Sequence, residues 1–212
     1  MHLLGALHYI ENNPQDFKDA LTQHIRLSVS ALLVAMALFI PMGVFTAASR
    51  RYGQTIIAAI ATVRVMPSLV VVFLMLPLVG IGFTPALIAL ILLAGPPLVI
   101  NTDAGLRGVD PATREAARGL GMNAVQSFVR VQLPLALPVI VAGIRSATVE
   151  VIASATLGAF IGAGGLGNLI LTGVSMLDWS VLLAGAIPVT LLALFAEAAL
   201  AGVEHLITPP AG

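Results

Sequence analysis

The sequence predicts an all-α integral membrane protein with about five membrane-spanning helices. Of its 212 residues, 58% are hydrophobic and only 9% are charged, against the roughly 25% charged residues of a soluble globular domain. Mean hydropathy is +1.03. Charge-free stretches long enough to cross a bilayer alternate with short segments that hold the arginines and the turn residues. The 20 glycines, set among Leu, Ile, Val and Ala, suit helices packed closely in lipid.

The same composition excludes several classes. A net charge of +0 and the lack of a basic run give no footprint for nucleic acid. With no cysteine, disulfides, thiolate catalysis and cysteine metal sites are excluded together. The four histidines, His2, His8, His24 and His205, are expected outside every strongly apolar segment, so no buried metal centre is predicted. The first residues carry Glu11, Pro14, Asp16, Lys18 and Asp19 and lack the basic start, apolar stretch and small-residue site of a cleaved signal. Residues 1–21 are expected to form an extracytoplasmic segment, and insertion to rely on the first span.

No charge lies between Arg26 and Arg50, and about 20 apolar residues cross the hydrocarbon layer. Span one is therefore Leu27 to about Ala48. Val65 to Thr102 is again free of charge, but as one helix it would run roughly 57 Å, too long for one bilayer. The break is expected at Gly80-Ile81-Gly82-Phe83-Thr84-Pro85, with Thr84 as a cap and Pro85 at the first helical position. Span two is then about Gln54 to Val79 and span three about Pro85 to Ile100. A polar segment, Asn101 to Gln132, leads to span four, Pro134 to about Ala159, and span five runs from about Trp179 to Ala201. Between the last two spans, Gly162-Ala163-Gly164-Gly165-Leu166-Gly167 breaks the helix ahead of a brief surface helix. It is either a turn at the membrane face or a gating element. No Gly-Lys-Ser/Thr follows it, so it is not a phosphate loop.

Arg50 and Arg51 follow span one, and Arg107, Arg114, Arg118 and Arg130 stand in the polar segment, whereas the connections after spans two and four contain no Lys or Arg. Positive charge near span ends marks the cytoplasmic side. Those two loops are expected inside, the N-terminus outside and the C-terminus, residues 205–212, inside. Tyr52 and Trp179 fall at predicted interfaces, where amphipathic rings anchor.

The polar segment holds the most specific pattern. Asp110-Pro111 reads as an N-cap with proline at the first helical position, a helix ends near Gly119 and Gly121, and a second can start after Asn123. Within this helix-turn-helix stand Glu115-Ala116-Ala117, three residues, Gly121, nine residues, then Val131-Gln132-Leu133-Pro134. The pattern resembles the cytoplasmic loop of the integral-membrane components of binding-protein-dependent ABC importers, with Val131 where that family has Ile. The resemblance runs from about Thr22 to Glu204 and implies the type I ABC importer permease fold, with the coupling loop at about 103–132. It further implies that Glu115, Ala116, Ala117 and Gly121, flanked by Arg114 and Arg118, dock on an ABC ATPase subunit dimer. The implied partners also include a second permease subunit, identical or homologous, an extracytoplasmic substrate-binding protein and the lipid bilayer of the inner membrane. The chain has no Walker-type loop, so it is expected to be a transport subunit rather than an enzyme. It would bind no cofactor, with ATP and Mg2+ held by the partner ATPase.

The likeness is strongest to the osmoprotectant branch, the glycine betaine, choline, carnitine and proline betaine permeases. It lies in Met66-Pro67-Ser68-Leu69, Asn101-Thr102 with Gly108-Val109-Asp110-Pro111, Leu133-Pro134-Leu135-Ala136-Leu137-Pro138 and the Ala159 to Gly167 stretch. The D-methionine permeases share the coupling loop but look less similar elsewhere. One departure is Arg64, where the branch often carries a neutral polar residue.

Arg64, Arg145 and Glu150 fall inside predicted spans, where a charge costs at least about 2.5 kcal/mol and therefore tends to face protein or a water-filled path. Arg64 and Arg145 are expected at similar depth, with Glu150 paired to one of them. With Met66, Ser68 and Ser154 they are candidate pathway or gate residues, the alternative being a structural ion pair. A cationic path would suit the carboxylate of a zwitterion. An ion channel or proton-coupled carrier, the reading from a different class, would need a carboxylate ladder that does not accompany Glu150. A membrane-embedded enzyme would need a nucleophile-base set, and none is evident.

Overall fold

The computed structural model describes residues 2–49 and 51–207. Arg50, one of the arginines used for orientation, and residues 208–212 of the expected C-terminal tail lie outside the described residues. Helix α1 (His2–Asn12) leads through Asn13 into α2 (Pro14–Ala48). Proline at the first helical position has no N–H to leave unsatisfied, so α2 begins well before the predicted start at Leu27. Its first turns join the bundle, with Phe17, Ala20 and Leu21 packed against Leu166, Leu169 and Val189. Tight contact between α1 and the last helix also brings Gly5 against Ser180.

The predicted second span is not one helix. Helix α3 (Gly53–Val65) stops, and α4 (Ser68–Leu74) with α5 (Leu76–Val79) leaves it at 99°. Proline disfavours the helical conformation in the residue before it and has no N–H to continue the ladder. Met66 is accordingly extended (φ −75°, ψ 132°) and so is Pro67 (φ −56°, ψ 132°). Counting the bent pair as one span, five segments of the described chain are long and apolar enough to cross a bilayer.

The turn at Gly80 and Gly82 stands where expected, with both residues at positive φ (88° and 107°). The capping differs from expectation. Helix α6 (Phe83–Arg107) starts at Phe83 with Gly82 as its N-cap and no side-chain cap, so Thr84 does not cap and Pro85 lies within the first turn, where its missing N–H costs nothing. Gly82 instead donates its N–H to the Ile161 carbonyl at 2.7 Å. Helix α6 also passes the expected end at Ile100. Its polar residues find partners along the helix: Asn101 donates to the Pro97 carbonyl at 2.8 Å, and Arg107 pairs with Asp103 one turn earlier at 2.9 Å.

Helix α7 (Pro111–Gly119), α8 (Ala124–Ser127) and one π turn (Phe128–Gln132) lead into α9 (Leu133–Ala155), which closes in a 3₁₀ stretch, Thr156–Ile161. The apolar α10 (Leu166–Met176) and the long α11 (Trp179–Ile207) complete the chain. The expected brief surface helix is thus α10, and its Leu166, Leu169 and Gly173 are buried, Gly173 directly against Leu182 of α11.

Helix α6 is the centre of the bundle. One core joins Leu27, Ala31 and Ala35 of α2, Ala89, Leu90, Leu93 and Ala94 of α6, and Ala147, Val151 and Ala155 of α9. The four-residue spacing on α2 and α9 places small side chains in one stripe, and small residues let helices approach closely where lipid supplies no hydrophobic drive between them. Gly43 meets Thr102 from one side and Gly143 meets Asn101 and the Pro97 carbonyl from the other, so near that a Cβ on either would lie within 3.0 Å of its neighbour.

Gly143→Ala is expected to lower stability by about 1–3 kcal/mol through overpacking against the α6 backbone. Gly202→Ala, where an added Cβ meets nothing within 4 Å, should leave the melting temperature in detergent unchanged or raised. Equal melting temperatures for the two variants would contradict the close α6–α9 approach.

Candidate functional site

The loop between α6 and α9 is built by local capping. Asp110 Oδ1 accepts from the Ala112 N–H at 2.9 Å with Pro111 at the first helical position, which starts α7. Gly121 turns the chain at φ 80°, and its N–H reaches the Arg118 carbonyl at 2.9 Å. A capping box then starts α8: Gln126 donates its N–H to Asn123 Oδ1 at 2.9 Å, and Asn123 donates back to Gln126 Oε1 at 3.0 Å. The wide π turn ends at Gln132, two residues before Pro134, which has no N–H to continue an ordinary ladder.

This geometry sorts the candidate coupling residues onto two faces of α7. Arg114, Ala117 and Arg118 are spaced as one helical stripe, and Ala117 is buried at 4% exposure within the chain itself. Glu115 and Ala116 are exposed. A Cβ at Gly121 would meet nothing within 4 Å, so inside this chain the glycine serves the turn alone. Beside them the loop exposes large apolar side chains, Leu120 at 79%, Val125 at 71% and Val129 at 52%. The sequence reading missed these three. Their signal is the placement of bulky apolar residues in a polar segment, where exposure marks a protein-facing patch.

The embedded charges divide into two groups. Arg145 does not pair with Glu150. Its Nε lies 2.9 Å from Glu197 and its Nη1 2.6 Å from Glu204, both on α11. Five residues along a helix turn the side-chain direction by about 140°, so Arg145 and Glu150 look to different sides of α9. Glu197 and Glu204 are two turns apart and share one face, a spacing visible in the sequence. Because Glu197 and Glu204 occupy the final part of α11, Arg145 ties the middle of α9 to that part of the last helix.

Arg64 lies in the last turn of α3 just ahead of the bend and is exposed, with the extended Met66 nearby at 37% exposure and Ser68 opening α4. Half-buried Glu150 on α9 feels the charge of Arg64, although no N–O contact within 4.0 Å joins them among the described residues. Ser154, one turn beyond Glu150, is buried. The structure thus brings Arg64 and Glu150 into electrostatic reach of each other and sets Arg145 apart.

At the opposite end, the glycine stretch forms a packed corner. Gly162, Gly164 and Gly165 all have positive φ, 76°, 78° and 80°. Gln23 Nε2 donates to the Ala163 carbonyl at 2.7 Å. His24, expected outside the apolar segments, is buried at 1% exposure; its Nε2 stands 3.1 Å from the Ile152 carbonyl, and Gly165 lies directly on it. The early start of α2 explains the difference, because it places His24 in the helical bundle.

The family described as the binding-protein-dependent transport system inner membrane component matches residues 39–208. The chain is 39% identical to the carnitine transport permease protein OpuCB of Listeria monocytogenes over 96% of its own length and 93% of that protein. It is 35% identical to the choline transport system permease protein OpuBB of Bacillus subtilis, over 95% of its length and 93% of that protein. With the osmoprotectant import permease protein OsmW of Salmonella typhimurium it shares 36% identity over 97% of its length and 98% of that protein. In fold it is similar to an inward-facing structure of the MetNI methionine ABC transporter, at TM-score 0.83 and 19% identity, covering 91% of this chain and 96% of that one. A helical bundle of several apolar spans, a capped loop of the importer pattern and these matches over most of the chain together show that the protein belongs to the binding-protein-dependent transport system inner membrane components, a family of multi-pass permeases.

Proposed function

We propose that the chain forms half of the translocation path of an ATP-driven importer for a small osmoprotectant, a quaternary-amine compound such as glycine betaine, carnitine or choline. The observation that carries the reading is the face of the loop formed by Glu115, Ala116 and Gly121, open to a partner and flanked by exposed Leu120, Val125 and Val129. Such a patch fits a groove on a separate ATPase, which holds ATP and Mg2+. Arg114, Ala117 and Arg118 lie on the inner stripe of α7 and set that helix against the bundle.

The arginines of this loop, Arg107, Arg114, Arg118 and Arg130, assign it to the cytoplasm by the positive-inside rule, with the N-terminus outside and residues 205–212 inside. Five segments are few for a complete path, so a second permease subunit, identical or homologous, faces this one, and a loaded binding protein docks outside. Closure of the ATPases tilts α7 and α8, and the capped, π-turned junction to α9 passes the tilt to the bundle. Arg64, Met66, Ser68, Glu150 and Ser154 border the path around the 99° bend, while Arg145 ties α9 to α11. The relatives named for carnitine, choline and osmoprotectants support this substrate class. An amino-acid importer is the alternative, and uptake assays with betaine, carnitine, choline and methionine distinguish the two.

Glu115→Lys in the assembled importer is expected to cut substrate-stimulated ATP hydrolysis and uptake at least about tenfold by placing a like or unmatched charge at the docking face. Full activity in proteoliposomes would remove the docking role. Glu150→Gln should reduce uptake at least about tenfold with assembly intact, because it strips the charge facing Arg64. Wild-type uptake would assign Glu150 a purely structural place.

A further inference from the structure

Behind the coupling helix lies a cleft of about 510 Å³, within the roughly 300–1,000 Å³ typical of small-ligand sites. Three guanidinium groups line it: Arg107 at the end of α6, and Arg114 and Arg118 on the inner stripe of α7. Its floor is apolar, made by Ala47 in the last turn of α2, Leu106 in the last turn of α6, and Phe128 of the π turn. Arg107 is held in place by Asp103 at 2.9 Å and by donation to the Thr46 carbonyl at 2.6 Å, so its charge is balanced and its position set. Among the described residues, no ion pair within 4.0 Å neutralises Arg114 or Arg118. The cleft therefore keeps an uncompensated charge of two arginines over an apolar base.

The depth of the cleft decides its ligand. Its floor is the last turn of α2 and of α6, and α6, with 25 residues or about 37 Å, outruns the roughly 30 Å hydrocarbon layer but not the roughly 40–45 Å that includes the headgroups. The geometry points to a seat for the phosphate of an anionic phospholipid, with Arg114 and Arg118 on the phosphate oxygens and the acyl chain leaving along Ala47 and Leu106. Guanidinium forks match phosphate oxygens in pairs, and basic pockets between spanning helices are fitted to acidic headgroups. Soluble phosphate would share the arginines but not the apolar base. The lipid would wedge between α7 and the bundle on the face opposite Glu115 and Ala116, leaving the docking face free. This assignment does not depend on which solute is carried.

The test uses the purified full-length chain in detergent with phosphatidylglycerol and phosphatidylcholine of matched acyl chains, reading bound lipid by native mass spectrometry. Wild type should retain phosphatidylglycerol over phosphatidylcholine. Arg118→Gln should lose about fivefold of that preference, and Arg114→Gln with Arg118→Gln about fivefold per arginine. The double lysine variant, which keeps the charge, should retain most of it. Arg118 is exposed at the rim, so its single variant tests the seat even where the double variant folds poorly. Equal retention of the two lipids by wild type, an unchanged preference in Arg118→Gln, or displacement of the lipid by millimolar inorganic phosphate would each overturn the assignment. The ATPase is absent from the measurement, so failure of this proposal and failure of ATPase docking are read separately.

Discussion

Close approach of α2 and α9 to the two sides of α6 is the contact on which the rest of the structure depends. In lipid, burying an apolar side chain against another helix gains little over leaving it in the hydrocarbon, and association rests on dispersion between closely fitted surfaces. Alanine stripes on α2 and α9, with Gly43 and Gly143 at the nearest points, supply that fit. The central helix can then carry Asn101, Thr102 and Asp103 in its lower half, because each is enclosed by a neighbour or bonded along the helix. Without the close flanks, these polar groups would lie in lipid.

The same enclosure organises the charges. Asp103 and Arg107 form a one-turn pair that also grips the end of α2 through the Thr46 carbonyl. Arg145 draws Glu197 and Glu204 together and so joins α9 to α11. Arg64 and Glu150 make no such contact among the described residues, and Arg64 is exposed in the last turn of α3, just ahead of the break. Charges that make contact hold helices together.

The loop between α6 and α9 presents two distinct faces on one nine-residue helix. Its outer face presents Glu115 and Ala116 with Leu120, Val125 and Val129 nearby, and its other stripe buries Ala117 and sets Arg114 and Arg118 along the cleft beside Arg107. Capping at Asp110 and Asn123 fixes both starts without help from the bundle, so the loop keeps its shape while its outer face remains open.

Local chemistry determined much of this in advance. The hydrophobic blocks set the number of crossings, the glycine pairs marked the turns at Gly80 and Gly162, Asp110-Pro111 and Asn123 marked the helix starts, and the Glu115 to Pro134 pattern identified the family. These features depend on residues a few positions apart. Tertiary structure decided the rest. Arg145 chose Glu197 and Glu204 over Glu150 because side-chain direction around α9 and the position of α11 both entered. His24 became buried through the lie of α2 against the glycine corner, and Ala117 turned inward while Arg114 and Arg118 came to line the cleft beside it. The 99° bend was latent in Met66-Pro67, but only the packing of α4 against α6 selected a sharp break over a kinked span. Pattern reports which residues can leave water; which partner each then meets is set by helix rotation and neighbour choice, and no stretch of sequence contains either.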